Sequence, residues 1–488
     1  MKHKFLMTCA LFLMVGTVLA AAPNRQVIYV GNENVTSGGY WTTDSAGTVT
    51  AFTGEGTPAD KFIHYDAENN VLTLHNATIK KGLDYSESIE GGTYIFGSAI
   101  GVFNERGNAE LTIKLEGTNT IAEVSNGIYV LTTSSSASNA TLTIEGDGSL
   151  DASASQAGIW VQGNSCDAAL KIENAKVTAT LVDSYGGNGV IVQSAENSSA
   201  SLTVDGGSLT ATGSGATFAG IQMQFGFGTS GAGTPTVTVS GNAIVRANGS
   251  AGGITSNSST PIQFGAGPGI IFNGKEGTVY GDVTLQEDLT INQGETLTIS
   301  DEASLDMNGK TITVQSGGCL VGELTGSGTV KYAPTITTDS LPDGTVGTEY
   351  CQTFTAEGDA SITWSITSGS LPDGLNLNET TGEIFGTPTM SGCYDFTLTA
   401  SNDSGSDNRE FSLKINEGGD GINDIVADST LYVFSTKGML HIMGTEAEAE
   451  VYDVRGVLVY CGTERTLHLP AGVYIVHAEG RNWKAVVE

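Results

Sequence analysis

The sequence predicts an all-β protein in which a parallel β-helix is followed by two small β-sandwich domains. Its composition favours strands over helices, because Gly, Ser, Thr, Asn and Val dominate and long charged helix-forming residues are scarce. Short phrases recur along the first part of the chain, and alternating strands broken by Pro-Asp-Gly turns follow them. With 488 residues the chain is too long for one hydrophobic core, so several domains are expected.

Residues 1–20 have the pattern of a secretory signal peptide. Two lysines precede an apolar run from Phe5 to Leu19, and small residues surround the expected cleavage point after Ala20. No later stretch of the sequence is long and apolar enough to cross a bilayer as a helix. We therefore expect export, either to the cell surface and outer membrane or to the extracellular space.

The formal net charge is −32 at pH 7, with 53 acidic against 21 basic residues. Nucleic acids and anionic lipid surfaces require a cationic partner face, so this charge argues against both kinds of partner. It is compatible with cations, with neutral polysaccharide and with a crowded cell surface.

One phrase recurs in six versions, as a short alternating strand, a turn and a second short strand. The versions start at Leu72, Ile113, Leu142, Leu170, Leu202 and Val237. The turn residues expected to supply left-handed backbone are Asn76, Gly117, Gly146, Asn174, Gly206 and Gly241. One such unit cannot bury its apolar face alone, so successive units stack and share a core. We predict a cap with the first turns at 21–70 and a parallel β-helix at 71–332.

A second phrase, written "GIYV" and then "GIWV", places one variable residue on the outer side of each unit. Neighbouring strands lie about 4.8 Å apart, so Tyr129 and Trp160 are predicted to present adjacent rings for sugar stacking. The alternative is a partly buried aromatic pair beneath a long loop. The same column includes Gly101, Ile191, Gln222 and Thr255. Tyr40 and Trp41 are a second candidate pair for carbohydrate binding.

Another outward column follows the first strand of each unit and is mostly acidic. It runs through His75, Glu116, Glu145, Glu173, Asp205 and Ser240. Carboxylates about 5 Å apart repel one another unless water screens them or a cation bridges them, and Ca²⁺ prefers oxygen ligands. The candidate Ca²⁺ ligands are Glu116, Glu145, Glu173 and Asp205. A solvated acidic face without bound metal is the alternative.

No catalytic residue is predicted. Parallel β-helices include pectate lyases, which need a basic residue beside the uronate carboxylate, but Arg106 and Arg246 stand alone in the repeats and Arg25 precedes them. A hydrolase needs a converging acid and base, and no close Asp pair indicates one. The histidines show no spacing typical of a metal site. A cryptic polysaccharide lyase is kept as an alternative.

The repeats resemble a family of secreted bacterial carbohydrate-binding proteins, domain of unknown function 4353. The phrases "VLTLHNATI", "LTIKLEGTNTI", "GIYV", "LTIEGDGSLDA", "GIWV" and "SLTVDGGSLTATG" carry this resemblance in that order, between Val27 and Ala251. The resemblance implies a right-handed β-helix akin to polysaccharide lyases. It also implies binding of acidic or cellulosic plant polysaccharide with calcium, without established catalysis.

Residues 333–416 are predicted to form a β-sandwich from alternating strands such as "SITWSI" and "YDFTLTA". The stretch "LPDGLNLNETTGEIFGTPTMSGCYDFTLTASN" is similar to the Ig-like, cadherin-like domains of bacterial surface proteins. This resemblance implies a spacer, in some cases with calcium at its junctions. Cys351 and Cys393 fall in this one predicted domain and are candidates for a disulfide in an oxidising compartment.

Residues 417–428 are predicted to be a linker and residues 429–488 a second small β-sandwich. The phrases "VYDVRGVLVY" and "LPAGVYIV", with a terminal "WKAVVE", resemble the C-terminal sorting domains of type IX secretion. The resemblance implies delivery across an outer membrane, followed by release or anchoring. The alternative is a plain sandwich retained for stability.

Together these patterns predict an exported, non-catalytic, cell-surface protein that binds plant-type or cell-surface polysaccharide on an outer face of the β-helix. Calcium is the expected assisting ion. An adhesin or surface-layer protein whose β-helix is only a stiff rod is the main alternative.

Overall fold

The computed structural model of the protein describes residues 26–89, 92–104, 107–132, 138–164, 166–182, 186–226, 231–418, 432–444 and 447–488. The predicted signal peptide at 1–20 and most of the predicted linker at 417–428 lie outside the described residues. So do Arg25 and Arg106.

The described residues form strands and turns without any helix, so the all-β prediction is confirmed. Accordingly, this part of the chain has no helix that could span a membrane. Apolar and hydroxyl side chains alternate along the strands, which places them on opposite sides. In strand Ala140–Glu145, Leu142 and Ile144 are fully buried and Thr143 between them is partly exposed.

Ten strands form one of the two large sheets. In spatial order they are Gln263–Ala266, Thr234–Ser240, Ser199–Asp205, Ala168–Glu173, Ala140–Glu145, Ala109–Glu116, Val71–His75, Phe62–Asp66, Gly39–Thr43 and Val49–Ala51. The first seven pair in parallel, each with the corresponding strand of the next repeat. The last three extend the sheet by antiparallel pairing.

The second large sheet divides into two branches. Its strands are Val27–Val30, Glu33–Asn34, Thr78–Ile79, Leu83–Ile89, Gly92–Asn104, Thr118–Thr132, Ser149–Gly163, Lys176–Leu181, Asn188–Ser194, Ser208–Thr212, Ile221–Phe225, Ala243–Asn248, Ile254–Ser256, Gly269–Asn273, Glu276–Tyr280, Thr296–Thr298 and Cys319–Val321. The long strands Thr118–Thr132 and Ser149–Gly163 belong to both branches. One branch continues into Lys176–Leu181 and the other into Asn188–Ser194.

Residues 276–332 repeat a compact unit of three short strands. Besides strands of the second sheet, they contain Asp282–Thr284, Leu289–Ile291, Ser304–Asp306, Thr311–Val314, Leu324–Thr325 and Thr329–Tyr332. Each strand pairs in parallel with the strand three places further along the chain. Equivalent positions of successive units therefore lie side by side.

Two hydrophobic clusters fill the interior of these repeats, one between Ile28 and Ile271 and one between Ile270 and Val314. Core residues stack on residues of the same kind in the next unit. Leu142, Leu170, Leu202 and Val237 are successive register partners and are all fully buried. Burial of one such side chain contributes roughly 1.5–3 kcal/mol. A one-residue slip would place threonines inside, so the core fixes the register.

The turns between strands use left-handed backbone where the sequence predicted it. φ is positive at all six predicted residues, Asn76, Gly117, Gly146, Asn174, Gly206 and Gly241. Stacked turns also contact one another, because a Cβ atom added at Gly117 would lie 2.1 Å from Asn76 Oδ1. The same Asn76 oxygen accepts a hydrogen bond of 3.1 Å from the backbone N–H of Thr118. Backbone conformation and space together require Gly at 117.

The next part of the chain forms several sheets with a buried aromatic core. Its strands are Thr335–Ile336, Gly344–Thr345, Tyr350–Thr353, Ala356–Glu357, Thr363–Gly369, Leu375–Leu377, Glu383–Gly386, Gly392–Asn402 and Gly405–Asn416. They form one sheet of four strands, one of three and one of two. The ring of Phe354 contacts Trp364, Phe396 and Phe411 at centroid distances between 4.9 and 6.5 Å.

The predicted disulfide between Cys351 and Cys393 is wrong. Both thiols are free and exposed. Cys351 Sγ instead donates a hydrogen bond of 3.0 Å to Glu383 Oε1 on the adjacent strand. This contact raises the pKa of the Cys351 thiol, because the carboxylate stabilises its protonated form.

The C-terminal residues form a three-stranded and a four-stranded sheet around one core. The strands are Tyr432–Thr436, Met439–Met443, Ala449–Asp453, Leu458–Gly462, Thr466–His468, Gly472–Ala478 and Arg481–Val487. Leu440 and Ile442 from the smaller sheet share this core with Val451 and Val476 from the larger.

Candidate functional site

The column of variable residues predicted from the "GIYV" and "GIWV" phrases exists in the expected order. Tyr129 and Trp160 are register partners on parallel strands, and their ring centroids lie 5.1 Å apart. The column runs through Gly101, Tyr129, Trp160, Ile191, Gln222 and Thr255. The predicted register is therefore confirmed.

The exposure predicted for these two rings is wrong. Tyr129 is 3% exposed and Trp160 is 7% exposed. They lie in a small buried cluster beside the main core, made of Tyr129, Ala157, Trp160 and Ile191 with Phe103 and Leu131 packed against it. The Tyr129 hydroxyl donates a hydrogen bond of 2.7 Å to Gln162 Oε1, which satisfies its polar end inside the protein. A sugar has no access to either ring, so the pair serves packing.

Trp41 is also buried, which contradicts its predicted binding role. It is 6% exposed and belongs to the main core. Along strand Gly39–Thr43 the side chains alternate, so Trp41 points to the interior and Tyr40 to the outer side. Of the four predicted carbohydrate-binding residues, Tyr40 alone keeps a partly exposed ring.

Tyr40 belongs to a group of stacked rings on the outer side of the ten-stranded sheet, which we call the ring cluster: Tyr40, Phe62, His64 and His75. Tyr40 and His64 stack with centroids 4.2 Å apart and planes 19° apart. Phe62 and His75 stack at 4.8 Å and 11°. An edge contact of 5.9 Å between Tyr40 and Phe62 joins the two pairs. Phe62 is buried, whereas the other three residues are partly exposed.

Polar groups surround the ring of His75. Its Nδ1 lies 3.2 Å from Glu116 Oε2, and its Nε2 lies 3.7 Å from Asp60 Oδ1. Lys114 Nζ donates to Glu116 Oε1 at 2.8 Å, and Asn76 Nδ2 donates to Asp60 Oδ1 at 2.9 Å. The edge of the ring cluster therefore offers fixed hydrogen-bond donors and acceptors.

These contacts favour the ionised form of both carboxylates. The hydrogen bond from Lys114, assisted by His75, lowers the pKa of Glu116 below its ordinary value despite partial burial. The hydrogen bond from Asn76 is the largest of the effects that lower the pKa of Asp60. Glu116 in turn raises the pKa of Lys114, so the ammonium group is retained.

The predicted acidic column is partly correct. Glu145, Glu173 and Asp205 are successive register partners, and we call these three residues the acidic row. Asp205 Oδ1 accepts a hydrogen bond of 2.7 Å from Ser240, the next residue in register. No group of three or more His, Cys, Asp or Glu side chains suited to a metal ion occurs in the described ranges. Calcium binding therefore stays a prediction.

Glu116 does not belong to the acidic row, which corrects its predicted place beside Glu145. Glu116 pairs with His75, and the residue opposite Glu145 is Lys114. The reason is that Leu111, and not Ile113, aligns with Leu142 in the core.

Two rows of register partners cross the outer side of the ten-stranded sheet. One starts at the ring cluster and runs through Tyr40, His64, Thr73, Lys114, Glu145, Glu173, Asp205 and Ser240. The other runs through Asp66, Val71, Thr112, Thr143, Lys171, Thr203 and Thr238. We call Thr112, Thr143, Thr203 and Thr238 the threonine row. The ring cluster thus lies at one end of a strip rich in hydroxyl and carboxylate groups.

Sequence reasoning missed Phe62 and His64. The stretch "KFIHYD" alternates between ring-bearing outer residues and the buried Ile63 and Tyr65. This alternation was the available signal, and it places Phe62 and His64 on the same side as Tyr40.

Comparison with protein families identifies one domain. Residues 324–416 match the family described as "Putative Ig domain". The resemblance of this region to Ig-like domains is therefore confirmed. No curated protein sequence matches the chain significantly.

Solved structures are similar to limited parts of the chain. A "putative alpha-galactosidase/melibiase" from Bacteroides fragilis is 28% identical over 17% of this chain and 18% of its own, with a TM-score of 0.16. An endo-fucoidan hydrolase from glycoside hydrolase family 107 is 14% identical over 32% of this chain and 28% of its own, with a TM-score of 0.18. An I-band fragment of titin is 14% identical over 34% of this chain and 68% of its own, with a TM-score of 0.17. Scores this low establish neither a shared fold nor a shared activity.

Proposed function

We propose that the protein is an exported, non-catalytic polysaccharide-binding protein whose binding site is the ring cluster. The observation that carries this proposal is the stacked pair of Tyr40 and His64, partly exposed on the outer side of the ten-stranded sheet. Rings of this kind offer apolar surface to the C–H face of a pyranose. Small-molecule sites typically combine such surface with a few well-placed polar groups.

The polar groups around His75 supply the second part of such a site. Glu116 and Asp60 can accept hydrogen bonds from sugar hydroxyls, and Lys114 can donate one. All three are held by contacts within the protein, so little side-chain freedom is lost when a ligand binds.

We propose a right-handed parallel β-helix as the scaffold of this site, with its cap at 21–70 and its turns at 71–332. The parallel pairing of each repeat with the next, in both large sheets and in residues 276–332, supports this architecture. The resemblance to the secreted carbohydrate-binding family 4353 supports the function as well as the fold.

The remaining domains are proposed to place the site outside the cell. The Ig-like domain would act as a spacer, and residues 429–488 would act as a type IX sorting domain that leads to the cell surface or outer membrane. The sequence phrases quoted above support the second role.

The environment of Arg246 supports a binding role over a lyase role. Its guanidinium is ion-paired with the buried Glu295 and lies 3.8 Å from the ring centre of Phe272. Because its side chain is only 13% exposed, the Arg246 guanidinium serves packing and cannot approach a uronate.

Calcium is proposed as an assisting ion at the acidic row. Glu145, Glu173 and Asp205 follow one another at the spacing of neighbouring strands, about 4.8 Å. Because Ca²⁺ takes roughly 6–8 oxygen ligands, hydroxyl groups or water would have to complete the shell.

Binding of immobilised polysaccharides by the full chain tests the proposal. Wild type is expected to bind at least one of cellulose, xylan or pectin, and Tyr40→Ala with His64→Ala is expected to bind at least tenfold more weakly. Tyr332→Ala is the matched control, because this tyrosine is exposed elsewhere on the protein and should be neutral. Retention of no glycan by the folded wild type would favour the adhesin alternative. If the double variant binds as tightly as wild type, the binding site lies elsewhere than the ring cluster.

A further inference from the structure

We infer that the ring cluster is one end of a longer site, along the outer side of the ten-stranded sheet, that binds an extended uncharged polysaccharide and, in the absence of calcium, excludes polyuronates. This inference rests on the proposed function. It names the class of glycan and the direction in which the chain lies.

The geometry of the strip suits a linear polymer. The row that starts at Tyr40 crosses eight strands in register and ends at Ser240. Eight strands at a spacing of about 4.8 Å give a track of about 34 Å. Two strand spacings are close to the disaccharide repeat of an extended β-1,4-linked chain. Successive sugars would therefore meet the same kind of protein group again and again.

The chemistry of the strip suits a neutral sugar. Each hydroxyl of the threonine row can donate and accept a hydrogen bond, as can each sugar hydroxyl. The ionised carboxylates of Glu145 and Glu173 can only accept hydrogen bonds. Sugar hydroxyls can donate to these oxygens, whereas uronate carboxylates cannot.

The charge of the strip opposes a polyanion. Its outward acidic residues are Asp66, Glu110, Glu116, Glu145, Glu173 and Asp205, and its outward basic residues are Lys114 and Lys171. Lys114 is already paired with Glu116. A polyuronate carries one carboxylate per sugar and would lie within the screening distance of about 8 Å at physiological salt. The repulsion therefore recurs along the whole track.

Calorimetric titration of the full chain in the presence of a chelator tests this inference. The probes are cellohexaose as the neutral glycan, hexagalacturonate as the polyuronate and chitosan hexamer as the amine-bearing glycan. Cellohexaose is expected to bind at least tenfold more tightly than hexagalacturonate, and cellohexaose more tightly than cellobiose. The chelator removes calcium bridges that would otherwise attach a uronate to the acidic row.

A neutralised acidic row gives the second arm of the test. The triple variant Glu145→Gln, Glu173→Gln, Asp205→Asn is expected to gain at least fivefold in affinity for hexagalacturonate, with no matching gain in affinity for cellohexaose. The control triple variant Asp151→Asn, Asp301→Asn, Glu302→Gln removes three exposed acids away from the strip and should change neither.

The outcomes separate the inference from the proposed function. One outcome is that the protein binds hexagalacturonate or chitosan hexamer more tightly than cellohexaose, with Tyr40→Ala weakening that binding. This result would overturn the inference that the ligand is uncharged, while the ring cluster would remain the binding site. Equal affinity for cellobiose and cellohexaose would overturn the extended track. Binding of none of the probes, nor of any immobilised polysaccharide, would overturn the proposed function and this inference with it.

Discussion

Tyr129 and Trp160 are register partners whose ring centroids lie 5.1 Å apart, and neither ring reaches the surface. The similarity of their two sequence phrases therefore reflects the packing of neighbouring strands. The partly exposed rings are instead Tyr40, His64 and His75 of the ring cluster. Repetition marks the core of this protein better than it marks the site.

Trp160→Ala is expected to lower the free energy of unfolding by about 3–5 kcal/mol, because it leaves a large cavity in a buried cluster. Denaturant unfolding measures this change. Tyr332→Ala, at an exposed position, should stay within about 0.5 kcal/mol of wild type. Loss of glycan binding by folded Trp160→Ala, without loss of stability, would restore a binding role for this residue.

Two glycine substitutions separate backbone strain from crowding in the turns. Gly117 and Gly309 both have positive φ, at 66° and 75°. A Cβ at Gly117 would collide with Asn76 Oδ1, whereas one at Gly309 would meet nothing within 4 Å. Gly309→Ala should cost about 1–2 kcal/mol from backbone strain alone, and Gly117→Ala distinctly more. Equal losses in thermal unfolding would show that contact between stacked turns is unimportant.

Arg246→Met is expected to destabilise the protein by about 3–5 kcal/mol, because it leaves the carboxylate of Glu295 buried without its partner. Asp339→Asn breaks the pair with Arg409 at a site where Asp339 is 90% exposed, and should cost at most about 1 kcal/mol. Denaturant melts of both variants give the comparison. A smaller loss for Arg246→Met than for Asp339→Asn would contradict the buried pairing.

The ionised carboxylate of Glu116, beside the ring cluster, stabilises the folded protein in a pH-dependent way. Its pKa in the folded protein is below the ordinary 4.5, so the contribution is complete above that pH and disappears as the pH falls through the folded value. The melting temperature of wild type should therefore exceed that of Glu116→Gln at pH 7, and the difference should shrink towards pH 3. Lys114→Met should reduce the difference at pH 7, because it removes the main cause of the lowered pKa. A difference independent of pH would exclude the ion pair as its source.

The sequence predicted those features that depend on local pattern. Alternation predicted the all-β fold, and the turn chemistry predicted positive φ at Asn76 and Gly206. The matching phrases around Tyr129 and Trp160 predicted their register, since side chains that share a core must align.

Exposure was harder to predict, because it depends on contacts between distant segments. Alternation puts Tyr129 on the side opposite the main core, but Phe103 and Ile191 from other repeats close around it. The ring cluster was hard to predict for a similar reason, because antiparallel pairing brings Tyr40, His64 and His75 together from three separate strands. The misplacement of Glu116 had a smaller cause, a two-residue shift in one alignment.

In residues 282–332 each strand pairs only with its counterparts in the adjoining units. Duplication or deletion of one whole unit would therefore join equivalent strand edges and leave the remaining units unchanged. Unequal recombination could therefore lengthen or shorten this part of the protein one unit at a time, because each added unit packs against the existing core.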